Sequence, residues 1–176
     1  MSTAVPIDPL KLLEAAQRQA GTNRGRGRPS PVQLRSAVSN AYYALFHALS
    51  RRAAEHLFRR GTRQQKLRLA RTFGHRDLKV ACSWVAGREK RVPQHVRSIV
   101  DFLKGSPIEG IAASFCDLQE ARHQADYDHL MPFSKATTLA HIADSRTAID
   151  ALDKANERQR QAFFALLALC ARPGPS

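Results

Sequence analysis

The chain has 176 residues, 43% of them hydrophobic, which is enough for one compact domain with a buried core and excludes wholesale disorder. Only 7% of the residues are aromatic and alanine is frequent, which favours packed helices over a β-sandwich. The formal net charge of +13 is uneven, because residues 1–91 carry +14 and residues 92–176 carry −1. Such a field attracts polyanions, so nucleic acid is the first expected partner, with an anionic membrane surface, an acidic protein or a merely solvated basic surface as alternatives.

The three cysteines, Cys82, Cys116 and Cys170, are odd in number and far apart in the sequence. This spacing predicts neither a disulfide framework nor a zinc site, and it favours the cytoplasm as the compartment. No metal or other cofactor is expected, because the sequence has no phosphate-binding glycine loop and no metal-ligand spacing. A secretory signal is not expected either, and the most apolar tract, "AFFALLALCA", is about half the length needed to span a bilayer.

Helix signals begin near the amino terminus. Asp8 as a cap, Pro9 in the first turn and Gly21 at the end predict a first helix over residues 8–20. The stretch "TNRGRGRPSP" that follows is too rich in glycine and proline for regular structure. Ser30 and Pro31 then open a second helix that we expect to reach about residue 60. Its predicted core face repeats at helical spacing and consists of Leu34, Val38, Ala41, Leu45 and Ala48.

The remaining chain also reads as helices separated by short breaks. Helices are predicted over residues 63–72, over residues 77–85, and from Pro93 to about Lys104. A further helix should begin near Ile111 and be ended or kinked by Pro132. Ser134 should cap a long helix through about residue 169, with a bend expected near "NERQRQ". Since no segment alternates with period two, the predicted fold class is all-α.

A polar stripe runs along the second predicted helix, opposite its core face. Its members share one arc of the helix and are Ser36, Asn40, Tyr43, His47 and Ser50. No charged residue lies between Arg35 and Arg51, whereas an ordinary solvated face usually carries Glu, Lys and Arg. The pattern therefore places Asn40, Tyr43 and His47 at a dimer interface or in a cleft, with a plain solvated face as the alternative.

A second polar stripe lies in "EARHQADYDH", residues 120–129. On a continuous helix, Arg122, Asp126 and His129 at positions i, i+4 and i+7 share one face. The alternative is that Pro132 places His129 in the last, frayed turn or beyond it. An aspartate orients a histidine, a histidine moves protons, and an arginine binds phosphate oxygens; metal-free RNA cleavage requires these groups. The sequence thus makes these three residues candidate catalytic groups, while a structural salt link is the alternative for the same spacing.

Arginines are dense in two further segments. Arg24, Arg26 and Arg28 form a basic arm suited to phosphate contacts, unless they belong to a linker that merely stays solvated. A longer basic tract covers residues 51–76, and its candidate nucleic-acid contacts are Arg59, Arg60 and Arg63. Because this tract has few aromatic residues to stack bases, it favours structured RNA over a bare single strand.

Two motifs in this order resemble a known family. "RSAVSNAYYALFHAL", then "EARHQADYDH" and "FSKATTLAHIADSRTAIDAL", are similar to the HEPN superfamily. The resemblance covers residues 32–152 and is closest to a prokaryotic branch with an "AYYALFHA"-type second helix and an "R..ADYD"-type later motif. In active members of that family an arginine is followed, after four to six residues, by a histidine, and these positions correspond to Arg122 and His129.

The resemblance implies an up-and-down helical bundle that forms a homodimer and cuts RNA without metal. Applied to this chain, it implies an amino-terminal helix and basic arm in residues 1–29, a HEPN-like bundle in residues 30–169, and a tail in residues 170–176. Many family members are toxins paired with a nucleotidyltransferase or belong to phage-defence systems. The tyrosine whose modification controls some of these toxins has no counterpart, because its place is taken by Met131.

Two functional hypotheses follow. The first is a metal-independent endoribonuclease in which His129 is the acid–base group, Arg122 binds the phosphate and Asp126 orients the histidine. The second is a non-catalytic dimer that binds nucleic acid or a nucleotidyltransferase partner, with Arg122 and Asp126 as a structural pair. Either hypothesis predicts RNA binding that weakens steeply with salt.

Overall fold

A computed structural model describes residues 7–21 and 28–171 of the chain, and within these residues the secondary structure consists of α-helices without a strand. This confirms the predicted all-α class. In chain order the helices are α1 (Pro9–Gln19), α2 (Pro31–Leu57), α3 (Arg63–Ala70), α4 (His75–Val85), α5 (Gln94–Leu103), α6 (Pro107–Tyr127), α7 (Lys135–Lys154) and α8 (Glu157–Cys170).

The predicted helix starts are explained by capping side chains. The carboxylate of Asp8 accepts a hydrogen bond from the amide of Leu10 at 3.0 Å, and Pro9 occupies the first turn of α1. At the start of α2, Ser30 and Gln33 form a reciprocal capping box, each side chain bonding the other residue's amide. These caps satisfy amide groups that the first turn of a helix leaves without partners.

Helix α2 is the central element and packs against α1, α3, α6, α7 and α8. Every residue of its predicted core face is buried, which confirms that prediction. The prediction was nevertheless too narrow, because Tyr42 and Leu49, which adjoin this face, are also fully buried. A helix surrounded by neighbours buries more than the single stripe expected of a surface helix.

Two predicted boundaries differ from the structure. Helix α6 begins at Pro107, inside the predicted break, because the Ser106 side chain caps it by accepting from the amide of Ile108. The single long helix predicted after Ser134 is wrong. It is divided into α7 and α8, and the Asn156 side chain caps the second by accepting from the amide of Arg158 at 2.8 Å. This break lies where the bend was expected, at the start of "NERQRQ".

Helix α1 belongs to the same hydrophobic core as the rest of the bundle. Leu13 and Ala16 are fully buried and join the cluster that contains α2, α4, α6 and α8 residues. Thus the amino-terminal helix, expected as a separate segment with the basic arm, contributes to the main core. The expected tail lies mostly outside the described residues, at 172–176. Among the helices that are described, none has both the length and the apolar character required to cross a membrane.

Candidate nucleic-acid interface

Arg122 on α6 lies at the contact between α6 and α2. Its Nε is 2.6 Å from an oxygen of Asp126, a charge contact rather than an aligned hydrogen bond, and an NH2 group donates to the hydroxyl of Tyr43 at 3.0 Å. The guanidinium also lies over the rings of Tyr43 and Tyr127, at 5.6 and 5.7 Å from their centres. The predicted pairing of Arg122 with Asp126 four residues later is confirmed.

The positive charge of Arg122 is stabilised by its neighbours. Partial burial opposes the charge, but Tyr43 and Asp126 outweigh that effect and raise the pKa of the guanidinium. Asp126 is held in turn by Ser39 of α2, whose hydroxyl donates to it at 2.7 Å. Arg122 and Asp126 therefore connect α6 to α2, and their side chains are only 26% and 29% exposed.

His129 does not share the helical face of Arg122. Helix α6 ends at Tyr127 and Asp128 caps it in an extended conformation, so His129 lies in the exposed turn that follows. Within the described residues, no hydrogen bond or ion pair connects His129 to Arg122 or Asp126. The expectation of one continuous helical face carrying all three groups is wrong.

Two side chains explain why α6 ends before His129. The carboxylate of Asp128 accepts from the amides of Leu130 and Met131, which forms a local turn. The guanidinium of Arg35 on α2 donates to the carbonyls of Ala125 at 2.9 Å and Met131 at 2.6 Å. Because Arg35 binds carbonyls on both sides of the turn, it fixes the turn against α2 and satisfies the end of the helix.

The polar stripe of α2 does not form one continuous surface. Asn40 is covered by α1, since it donates to the side chain of Gln19 at 2.8 Å, and Gln19 in turn donates to Ser36. Tyr43 contacts Arg122, as described above, and Ser50 is buried against a carbonyl of its own helix. Of the three residues predicted at a dimer interface or cleft, Asn40 is engaged within the chain and His47 lines a cleft.

This cleft has a volume of about 510 Å³ and lies between α2 and the segment that joins α3 to α4. His47 and His75 both line it, together with Arg51 and Arg71. His75, the first residue of α4, had no role assigned from the sequence. Its imidazole stacks on the ring of Phe46 with 3.9 Å between ring centres.

The two cleft histidines are uncharged at neutral pH. Burial, with a contribution from Arg51, lowers the pKa of His47. Burial, followed by Arg122 and His47, lowers the pKa of His75. One nitrogen of His75, Nδ1, lies 2.6 Å from the hydroxyl of Tyr42, and burial raises the pKa of that tyrosine, so the hydroxyl keeps its proton.

The predicted basic contacts differ in their surroundings. Arg24 and Arg26 lie outside the described residues, and Arg28 is exposed. Arg59 is paired with Glu157 at 2.9 Å, which offsets its charge, whereas Arg60 and Arg63 are exposed and have no ion pair among the described residues. Two of the six predicted contacts are thus exposed cations of the basic tract without a carboxylate partner.

None of the family models, curated proteins or solved structures compared with the chain matches it. No group of His, Cys, Asp and Glu in residues 7–21 and 28–171 has an arrangement that would hold a metal ion.

Sequence reasoning missed the cleft because its residues come from distant parts of the chain. Phe46 and His75 meet only because α3 and its flanking turns bring the start of α4 back to α2. No local pattern around His75 indicates this contact. The polar stripe of α2 was visible in the sequence, and a cleft was one of the two places it predicted for His47.

Proposed function

We propose that the protein is an RNA-binding helical bundle that presents an uncompensated basic face along α3 and its flanking turns. The main support for this proposal is that the segment from residue 56 to residue 76 contains no acidic residue. Six of its cations have no ion pair within the part of the chain that the structure describes: Arg60, Arg63, Lys66, Arg68, Arg71 and Arg76. A dense group of unpaired cations on and beside one short helix can bind a phosphate backbone, with release of counterions.

The character of α3 supports this proposal. The helix has eight residues and none of them is fully buried, although Leu69 and Ala70 pack against the core. It is capped by Thr62 and Gln65, which fix its start without adding a carboxylate near the cations. A short, capped surface helix rich in Lys and Arg is suited to contacting a polyanion rather than to stabilising the bundle.

The geometry of the Arg122 site favours binding over cleavage. Arg122 is already engaged by Asp126 and Tyr43, and His129 lies beyond the helix in an exposed turn. This arrangement supports the hypothesis in which Arg122 and Asp126 are a structural pair. The endoribonuclease hypothesis stays a prediction that rests on the HEPN resemblance.

RNA, rather than DNA, is proposed on the basis of that resemblance. The helical content of the described residues is compatible with a bundle of HEPN type. Homodimer formation and pairing with a nucleotidyltransferase are likewise proposals that follow from the resemblance alone.

The proposal is tested by titrating a fluorescently labelled RNA hairpin with the full chain at several salt concentrations. Three to five phosphate contacts predict a plot of log K against log salt with a slope of about −2 to −4. A slope near zero, or no binding at low salt, would contradict the proposal.

A further inference from the structure

The cleft beside the basic face has the size and lining of a binding site for one nucleotide. Small-ligand sites are concave, mostly apolar, and carry a few polar groups that fix orientation, with volumes of roughly 300 to 1,000 Å³. The cleft has a volume of about 510 Å³. Its apolar lining includes Phe46, Leu67, Ala70 and Phe73.

Basic groups border this apolar lining. Arg71 is exposed and has no side-chain partner among the described residues. Arg51 donates one hydrogen bond to the carbonyl of Ile7 at 3.3 Å and lies 4.0 Å from Glu55, which leaves other donors of its guanidinium available. Two arginines at the edge of an apolar cleft are a suitable arrangement for a phosphate group whose attached base points inward.

His75 supplies an aromatic surface that is already fixed in place. One side of its imidazole rests on Phe46, with 3.9 Å between ring centres and 25° between planes, and Tyr42 holds Nδ1 at 2.6 Å. His75 is nonetheless exposed to solvent. A histidine held in this way serves as a stacking surface, because little side-chain freedom is lost when a base packs on it.

His47 adds a polar group at the same cleft. It is half buried, and no described residue forms a hydrogen bond with its ring nitrogens. Burial lowers the pKa of both histidines, so at neutral pH each ring is uncharged. His47 then offers one donor and one acceptor nitrogen, whereas His75 offers only Nε2, because Tyr42 occupies Nδ1. These are groups that a base edge can bond.

We infer that this cleft binds one unpaired nucleotide, with the base against His75 and the phosphate between Arg71 and Arg51. The part that concerns an RNA strand rests on the proposed function. A base inside a duplex is stacked and paired and cannot enter the cleft, so the site selects unpaired nucleotides. A free nucleoside monophosphate carries the same base and phosphate as a nucleotide of an RNA strand. The experiment therefore distinguishes a free nucleotide from an RNA strand as the ligand.

The experiment uses the full chain and two probes, adenosine or uridine 5′-monophosphate and a labelled single-stranded RNA heptamer. Ring signals of His47 and His75 are followed by NMR during titration with each probe, and heptamer binding is also followed by fluorescence anisotropy. Arg71→Ala is compared with Arg68→Ala, which removes the same charge from the same basic segment but does not line the cleft. His75→Ala is compared with His75→Phe, which keeps an aromatic ring.

The inference predicts shifts of both histidine signals with at least one probe. Arg71→Ala should weaken binding about tenfold and Arg68→Ala less than threefold, because only the first removes the cleft phosphate contact. Removal of a stacking surface predicts about tenfold weaker binding for His75→Ala, whereas His75→Phe should stay within about threefold of the native protein. Thermal unfolding of each variant shows that the fold is kept.

The outcomes separate this inference from the proposed function. If the heptamer binds with a steep salt dependence but the histidine signals stay unchanged and Arg71→Ala behaves like Arg68→Ala, the cleft inference is wrong and RNA binding stands. If only the free nucleotide binds, with the predicted variant pattern, the cleft takes a free nucleotide and not an RNA strand. If neither probe binds, the cleft inference is overturned, while the hairpin titration decides the proposed function.

Discussion

Arg122 of α6 donates a hydrogen bond to the Tyr43 hydroxyl of α2 across 3.0 Å, and the same guanidinium pairs with Asp126. A residue expected to bind phosphate therefore connects two helices of the bundle. Because both partners lie within the chain, loss of Arg122 should affect the stability of the bundle.

Arg122→Ala should lower the free energy of unfolding by about 1 to 2 kcal/mol, since it removes a charged hydrogen bond and a partly screened ion pair. Tyr43→Phe, which removes only the hydroxyl, should have a smaller effect. Urea unfolding of the two single variants and the double variant measures the coupling between the residues. A coupling energy near zero would contradict a direct interaction between Arg122 and Tyr43.

Arg35→Ala should destabilise the end of α6 and the turn after it. Its guanidinium donates to the carbonyls of Ala125 and Met131, and these lose their partner in the variant. We expect a loss of about 1 to 2 kcal/mol in urea unfolding, together with faster hydrogen exchange over residues 128–133. Arg158→Ala, which removes an exposed arginine elsewhere, is the control and should change stability by less than about 0.5 kcal/mol. Equal stability and exchange in the two variants would show that Arg35 does not hold this turn.

Some features of the fold and of the candidate site could be predicted from the sequence, and others could not. The starts of α1 and α2 followed from Asp8, Ser30 and the prolines after them, because a cap acts within one turn of the chain. The pairing of Arg122 with Asp126 followed from their spacing for the same reason. The end of α6 did not, since it depends on Arg35, which lies far away in the sequence. The cleft could not be predicted from the sequence either, because it exists only where α2 meets the start of α4.

Acidification should destabilise the protein through three histidines whose rings are partly buried. Burial lowers the pKa of His47, His75 and His141 in the folded state below the ordinary value of 6.5. Their contribution to stability is therefore complete above pH 6.5 and is lost as the pH falls, because the unfolded chain binds protons more readily. Urea midpoints measured between pH 7.5 and pH 5 should decrease.

The variant His75→Phe tests the share of one histidine in that decrease. Phenylalanine keeps the ring beside Phe46 but does not titrate, so the stability curve of the variant should fall less steeply below pH 6.5. A curve parallel to that of the native protein over the whole range would mean that His75 is not the source of the effect.

Cleavage by Arg122, Asp126 and His129 stays a prediction of the HEPN resemblance, but the observed position of His129 predicts a different result. With His129 in an exposed turn, total RNA should survive incubation with the native protein in excess EDTA. His129→Ala and Arg122→Ala, assayed beside it, should show the same result. Chelator-resistant cleavage by the native protein that disappears in both variants would restore the endoribonuclease hypothesis.

The location of the RNA-binding surface on α3 is tested by comparing two triple variants that each remove three positive charges. One carries Arg63→Gln, Lys66→Gln and Arg68→Gln on α3; the other carries Arg146→Gln, Lys154→Gln and Arg158→Gln on α7 and α8. If α3 forms the RNA-binding face, the first variant should bind the labelled hairpin at least tenfold more weakly, with a salt slope reduced by about 2, while the second stays within about threefold. Equal weakening in the two variants would show that net charge alone governs binding, and would contradict a binding face on α3.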